Sequence, residues 1–94
     1  MHSAVKGILL SELRCKEVIC LSTGRRLGYI CDLELDLSCG KVIALILPGP
    51  KKFKGLLSCG IYRVPWGEIA SIGSDLILVN GCQEISTERK KEKE

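Results

Sequence analysis

From Leu27 to Leu37 every odd position is apolar: Leu27, Tyr29, Cys31, Leu33, Leu35 and Leu37. The intervening positions carry Gly28, Ile30, Asp32, Glu34 and Asp36, so the alternation is regular from Ile30 onward. A repeat of two sends alternate side chains to opposite faces, so this run predicts a half-buried β-strand and argues against a helix. It is long for one strand, and a bend or bulge is expected near Gly28. Ser38-Cys39-Gly40-Lys41 reads as a turn, and Val42–Leu47 then returns as the second arm of a hairpin.

The rest of the chain repeats this rhythm of short apolar runs and turn signals. Glu17–Leu21 reads as a strand closed by Ser22-Thr23-Gly24, and Ile61–Val64 as one stopped by Pro65. Pro48-Gly49-Pro50 is expected to end the Val42–Leu47 strand, because proline cannot donate to a ladder. Trp66–Ile69 reads as a helical turn, Gly73-Ser74-Asp75 as a tight turn, and Leu76–Val79 as the final strand. No run between strands is long enough for a crossover helix, which points to an all-β fold, a small antiparallel barrel or sandwich. The expected organisation is an N-terminal segment over 1–10, the barrel-like domain over 11–81, and a charged, disordered tail over 82–94.

Composition excludes much chemistry. A chain of 94 residues supports one small core. Its one histidine, His2, leaves no internal base for a cysteine nucleophile and no His-rich metal site. The glycines of Gly55–Gly60 are spaced as in a phosphate loop, but Ile61-Tyr62 stands where lysine and a hydroxyl are required. An enzyme is not expected, nor a cofactor or bound metal. The net charge of +3 is too mild to mark a dedicated nucleic-acid binder.

Six cysteines, at 15, 20, 31, 39, 59 and 82, show no C-x-x-C spacing. No signal-like apolar stretch opens the chain, so cytoplasmic, reduced thiols acting as small hydrophobes are expected. The longest aliphatic run, Val42–Leu47, is far too short to span a bilayer, so no membrane insertion is expected.

Three features could carry a binding function. Asp32, Glu34 and Asp36 could line one strand face as a row for a hard cation, although a solvated face balanced by neighbouring cations such as Lys41 is favoured. Val18–Leu21, Val42–Leu47 and Leu76–Val79 are apolar on both faces, more than one small barrel interior needs. Their outer faces then call for cover by the N-terminal segment, by the loops or by another chain; self-association is favoured, most simply as a twofold homodimer or a higher assembly. The loop from Pro48 to Gly60 sets Lys51, Lys52 and Lys54 around Phe53, followed by Leu56 and Leu57. Val42, Ile46, Lys51, Lys52, Phe53, Lys54, Leu56 and Leu57 are therefore the candidate interaction surface. The apolar half of the loop suits a protein partner; its lysines and single aromatic suit RNA or a ribosomal surface as the alternative.

Four segments in order resemble the PRC-barrel family, named from the photosynthetic reaction centre H subunit. They are Ser11-Glu12-Leu13 with Lys16–Ile19; Gly24–Ile30 with Asp32–Asp36; Gly40–Pro50; and Val64-Pro65-Trp66 with Glu68-Ile69, Ile72-Gly73, Asp75 and Ile77–Val79. The similarity covers Ser11 to Asn80 and is nearest the branch of single-domain sporulation proteins of spore-forming bacteria. It implies a β-barrel without enzymatic activity or fixed cofactor, used as an adaptor or assembly module. It supplies no catalytic residue. Trp66, at the end of its strand, suits a cap on the barrel with its N–H on an acceptor. The cysteines and Lys51, Lys52 and Lys54 fall outside the family pattern.

Overall fold

The computed structural model describes residues 7–51 and 59–86. A one-turn helix, α1 (Leu10–Leu13), is followed by eight strands: β1 (Glu17–Cys20), β2 (Arg25–Tyr29), β3 (Asp32–Asp36), β4 (Lys41–Lys51), β5 (Cys59–Pro65), β6 (Ile69–Ile72), β7 (Leu76–Val79) and β8 (Gln83–Ser86). They form two four-stranded sheets, ordered β2-β1-β7-β6 and β3-β4-β5-β8. The fold is all-β, as expected, but the two sheets do not close into a barrel.

In the first sheet β1 carries Val18 and Cys20 inward, and β7 carries Ile77 and Val79. These strands run parallel, with Val18 opposite Ile77 and Cys20 opposite Val79. This corrects the purely antiparallel expectation. A long excursion through β3, β4 and β5 of the second sheet, rather than a helix, makes the return.

The run Leu27–Leu37 is not one strand but two, in different sheets. Opposite β1 the pairing passes from Val18–Gly28 to Ile19–Arg26, leaving Leu27 without a partner. Gly28 takes φ +101°, so the expected bulge is present at the residue best able to adopt it. The chain then crosses at Ile30, which is buried, and Cys31 N–H donates to the Ile46 carbonyl at 2.8 Å. Leu27 and Ile30 both face the core, three residues apart, so the alternation does not survive the crossing.

The second sheet contributes Leu45 and Leu47 from β4, paired with Val64 and Tyr62 of β5. Together with Leu13, Leu27 and Ile30 these side chains and those of the first sheet make one core. Full burial of a Leu, Ile or Val side chain contributes about 1.5–3 kcal/mol, which makes this cluster the main source of stability.

Three further expectations are corrected. Pro48 does not end its strand, since β4 continues to Lys51. The Ile46 carbonyl points toward β3, so two residues on Pro48 turns its N–H-less nitrogen to that side, where β3 has already ended. Ile69–Ile72 is a strand, β6, joined to β7 through the expected Gly73–Asp75 turn and preceded by a 3-10 turn at Trp66–Glu68. Gln83–Ser86, read as the start of the tail, pairs with β5 as β8, so Leu76–Val79 is not the final strand. Residues 87–94 of the expected tail lie outside the described residues.

Candidate interaction surface

The expected site residues do not share one face. In β4 the pairing with β3 passes from Ala44–Glu34 to Val42–Leu35, leaving Ile43 as an extra residue. That bulge puts Val42 on the side of Leu35 and Leu33, while Ile46 lies with Ala44 on the outer face; both are half-buried. Lys51 is the last residue of β4, and its side chain is not among the described ones; Lys52, Phe53, Lys54, Leu56 and Leu57 lie outside the described residues.

The outer face of the second sheet is occupied by a polar network. Arg63 Nε donates to Glu34 Oε1 at 2.6 Å, and Arg63 Nη1 donates to Gln83 Oε1 at 3.1 Å. Ala44 lies between Glu34 and Pro65 in register and is fully buried. The carboxylate row of β3 is satisfied locally. Asp32 accepts from the Leu33 N–H at 2.8 Å, and Asp36 accepts from the Ser38 N–H and hydroxyl at 2.9 and 2.6 Å. The Ser38 hydrogen bonds hold the Asp36 carboxyl below its usual range. Among the described residues no cluster of three or more His, Cys, Asp or Glu could hold a metal ion.

An apolar surface lies instead where the core side of β3 runs on past the core. Leu10 and Arg14 of the helical segment face Ile30, Cys31, Asp32, Leu33 and Leu35 across a groove of about 300 Å³. Leu10 and Leu35 are about half exposed, at 48% and 51%, and Leu37 beyond them is 92% exposed. The helix is placed there by its own ends. Glu12 N–H and Leu13 N–H both donate to the Leu9 carbonyl at 3.0 Å, while Glu12 Oε1 accepts from the Leu9 N–H at 3.1 Å. Leu13 then anchors the turn in the core. Sequence reasoning missed this groove, because Leu33, Leu35 and Leu37 read as the buried side of a half-buried strand. Trp66 is 42% exposed on its 3-10 turn rather than closing the end of a barrel.

The cysteines divide in a way their spacing does not reveal. Cys15, Cys31 and Cys39 are exposed, so they are not the core fillers expected. Cys20 is buried and Cys82 half-buried against the same core. Cys20 Sγ lies 3.2 Å from Ser22 Oγ and 4.0 Å from the Asn80 carbonyl. Hydrogen bonds from Ser22 and Thr23 outweigh burial and lower the Cys20 thiol to about 7. Burial raises Cys82, and the adjacent Cys20 raises it further. Arg25 Nη2 donates to the Tyr62 hydroxyl at 3.1 Å, tying the two sheets together.

Two facing sheets with a parallel β1–β7 pair and a one-turn helix define a small all-β domain. The PRC-barrel domain matches residues 6–84, and the chain belongs to that family. Its relatives include the probable sporulation protein YlmC of Bacillus subtilis, 40% identical over 73 residues that span 77% of this chain and 90% of YlmC. The uncharacterized protein YmxH of the same organism is 40% identical over 79 residues, 81% of this chain and 92% of YmxH. An uncharacterized protein of Clostridium acetobutylicum is 40% identical over 72 residues, 77% of this chain and 83% of that protein. No solved structure matches the chain. Among the described residues no helix is long and apolar enough to cross a membrane.

Proposed function

We propose that this protein is a non-enzymatic adaptor of the sporulation programme, cytoplasmic, and working through protein–protein contacts that begin with a second copy of itself. The sporulation setting is supported by the likeness to YlmC over most of both chains. The contact reading rests on one observation, the groove between α1 and β3 with Leu10 and Leu35 about half exposed along it. Contiguous apolar surface of this kind marks an interaction site more often than chance exposure does.

The strand edge beside the groove is a poor alternative. Pairing β3 with its own copy in antiparallel fashion would bring Asp32 toward Asp36 and Glu34 toward Glu34, and like charges directly opposite destabilise a sheet. The docking element is therefore the groove and the leucines around it, through a twofold contact.

Light scattering after size exclusion, over a rising concentration series, tests this reading. Dimer mass for the parent chain and monomer mass for Leu35→Asp is the expected result. A strict monomer at high micromolar concentration overturns it. RNA binding lost with Lys51→Ala and Lys52→Ala, and falling steeply with salt, would instead favour a nucleic-acid role.

A further inference from the structure

Cys20 ends β1 with its side chain inside, and Cys82 stands two residues beyond the Asn80 that its sulfur approaches. The approach is built by the sheet. Cys20 is in register with Val79, and Leu21 N–H donates to the Val79 carbonyl at 2.8 Å, so Asn80-Gly81-Cys82 starts out alongside the end of β1. Cys82 then packs on the cluster that contains Cys20, just before the chain enters β8. We propose that Cys20 and Cys82 form a redox-active thiol pair, which a low-molecular-weight disulfide closes into an intramolecular bond between the first sheet and the strand entering the second.

The two cysteines have different parts. Cys82 is the more accessible and takes the external disulfide first. Its thiolate, which burial disfavours so that the step speeds as pH rises, attacks one sulfur, a bond forms to Cys82, the external S–S bond breaks and one external thiolate leaves. Cys20 then attacks the Cys82 sulfur, forming the Cys20–Cys82 bond and expelling the second external thiolate. Two protein thiols are oxidised, one external disulfide is reduced to two thiols, and the protons of the protein thiols end on those products. Ser22 and Thr23 favour the Cys20 thiolate, which suits a buried resolving group. Cys15, Cys31 and Cys39 are exposed on other elements.

The test uses the full chain and oxidised glutathione, with tryptic mapping under non-reducing conditions. Cleavage places Cys20 in the peptide Glu17–Arg25 and Cys82 in Val64–Arg89, each with no other cysteine. The expected product joins these two peptides and separates on reduction. Cys20→Ala should leave glutathione attached at Cys82, and Cys82→Ser should yield no internal bond. Oxidised parent chain should melt higher than reduced, a rise absent from Cys82→Ser. If Cys20→Ala does not fold, the mapping of the parent chain decides alone. Free thiols at both positions, or bonds formed instead through Cys15, Cys31, Cys39 or Cys59, overturn the proposal.

Discussion

Arg63 reaches Glu34 across the full width of β4, its Nε donating to Oε1 at 2.6 Å, while Ala44 lies sealed in the central strand. Only a small side chain fits at Ala44. Ala44→Leu should lift the bridge and cost about 1–3 kcal/mol by overpacking. Glu34→Gln keeps the shape and removes the charge; since the pair is partly exposed, its cost should stay within about 1 kcal/mol. Urea unfolding of both variants checks the ordering.

The core makes a sharper contrast. Leu45 is fully buried between β3 and β5, whereas Leu37 is 92% exposed on the hairpin turn. Leu45→Ala should destabilise the protein by about 2–5 kcal/mol through lost transfer energy and a residual cavity. Leu37→Ala should stay within about 0.5 kcal/mol. A comparable loss in both would mean that Leu37 is covered in solution by a partner.

Gly49 and Gly28 are needed for different reasons. A Cβ at Gly49 would lie 2.6 Å from the Gly60 carbonyl carbon and 2.7 Å from the Ile61 nitrogen, where β4 and β5 slip register. Gly49→Ala should therefore force the strands apart and lower Tm markedly. Gly28 has open space around it but a positive φ, so Gly28→Ala should cost about 1–3 kcal/mol of backbone strain. Gly67→Ala, with neither restriction, should leave Tm almost unchanged.

Cys20 should make stability depend on pH. Its thiol is lowered from 9.0 to about 7 in the folded chain, chiefly by the Ser22 hydrogen bond. A depressed pKa stabilises the fold above the unfolded value, and that contribution is lost as pH falls through the folded value. Under reducing conditions the parent chain should gain Tm between pH 7 and 9 relative to Cys20→Ala. Ser22→Ala should move the Cys20 titration, followed by thiolate absorbance, back toward the ordinary thiol range.

Much of this architecture was legible in the residues. The turns at Gly24, Gly40 and Gly73, the bulge at Gly28 and the hairpin around Cys39-Gly40 all follow from local chemistry. The division into two sheets does not, because a period of two says which face a residue takes and not which sheet it joins. Leu27 and Ile30 face one core only because the chain crosses between them. β8 escaped notice because Gln83-Glu84-Ile85-Ser86 has one apolar residue and lies on a sheet edge. The site was less legible still. One extra residue at Ile43 sends Val42 and Ile46 to opposite faces, and the groove exists only because α1 settles beside β3.

The parallel pairing of β1 with β7 has a consequence for a chain made from its N-terminus. The β3–β4–β5 meander can form as its own residues emerge, but β1 keeps one unpaired edge until Leu76–Val79 arrive. Contacts between residues so distant in sequence form late and slowly. A growing chain thus carries Val18 and Cys20 on an open edge for most of its synthesis, and β7 is the strand whose arrival completes the first sheet.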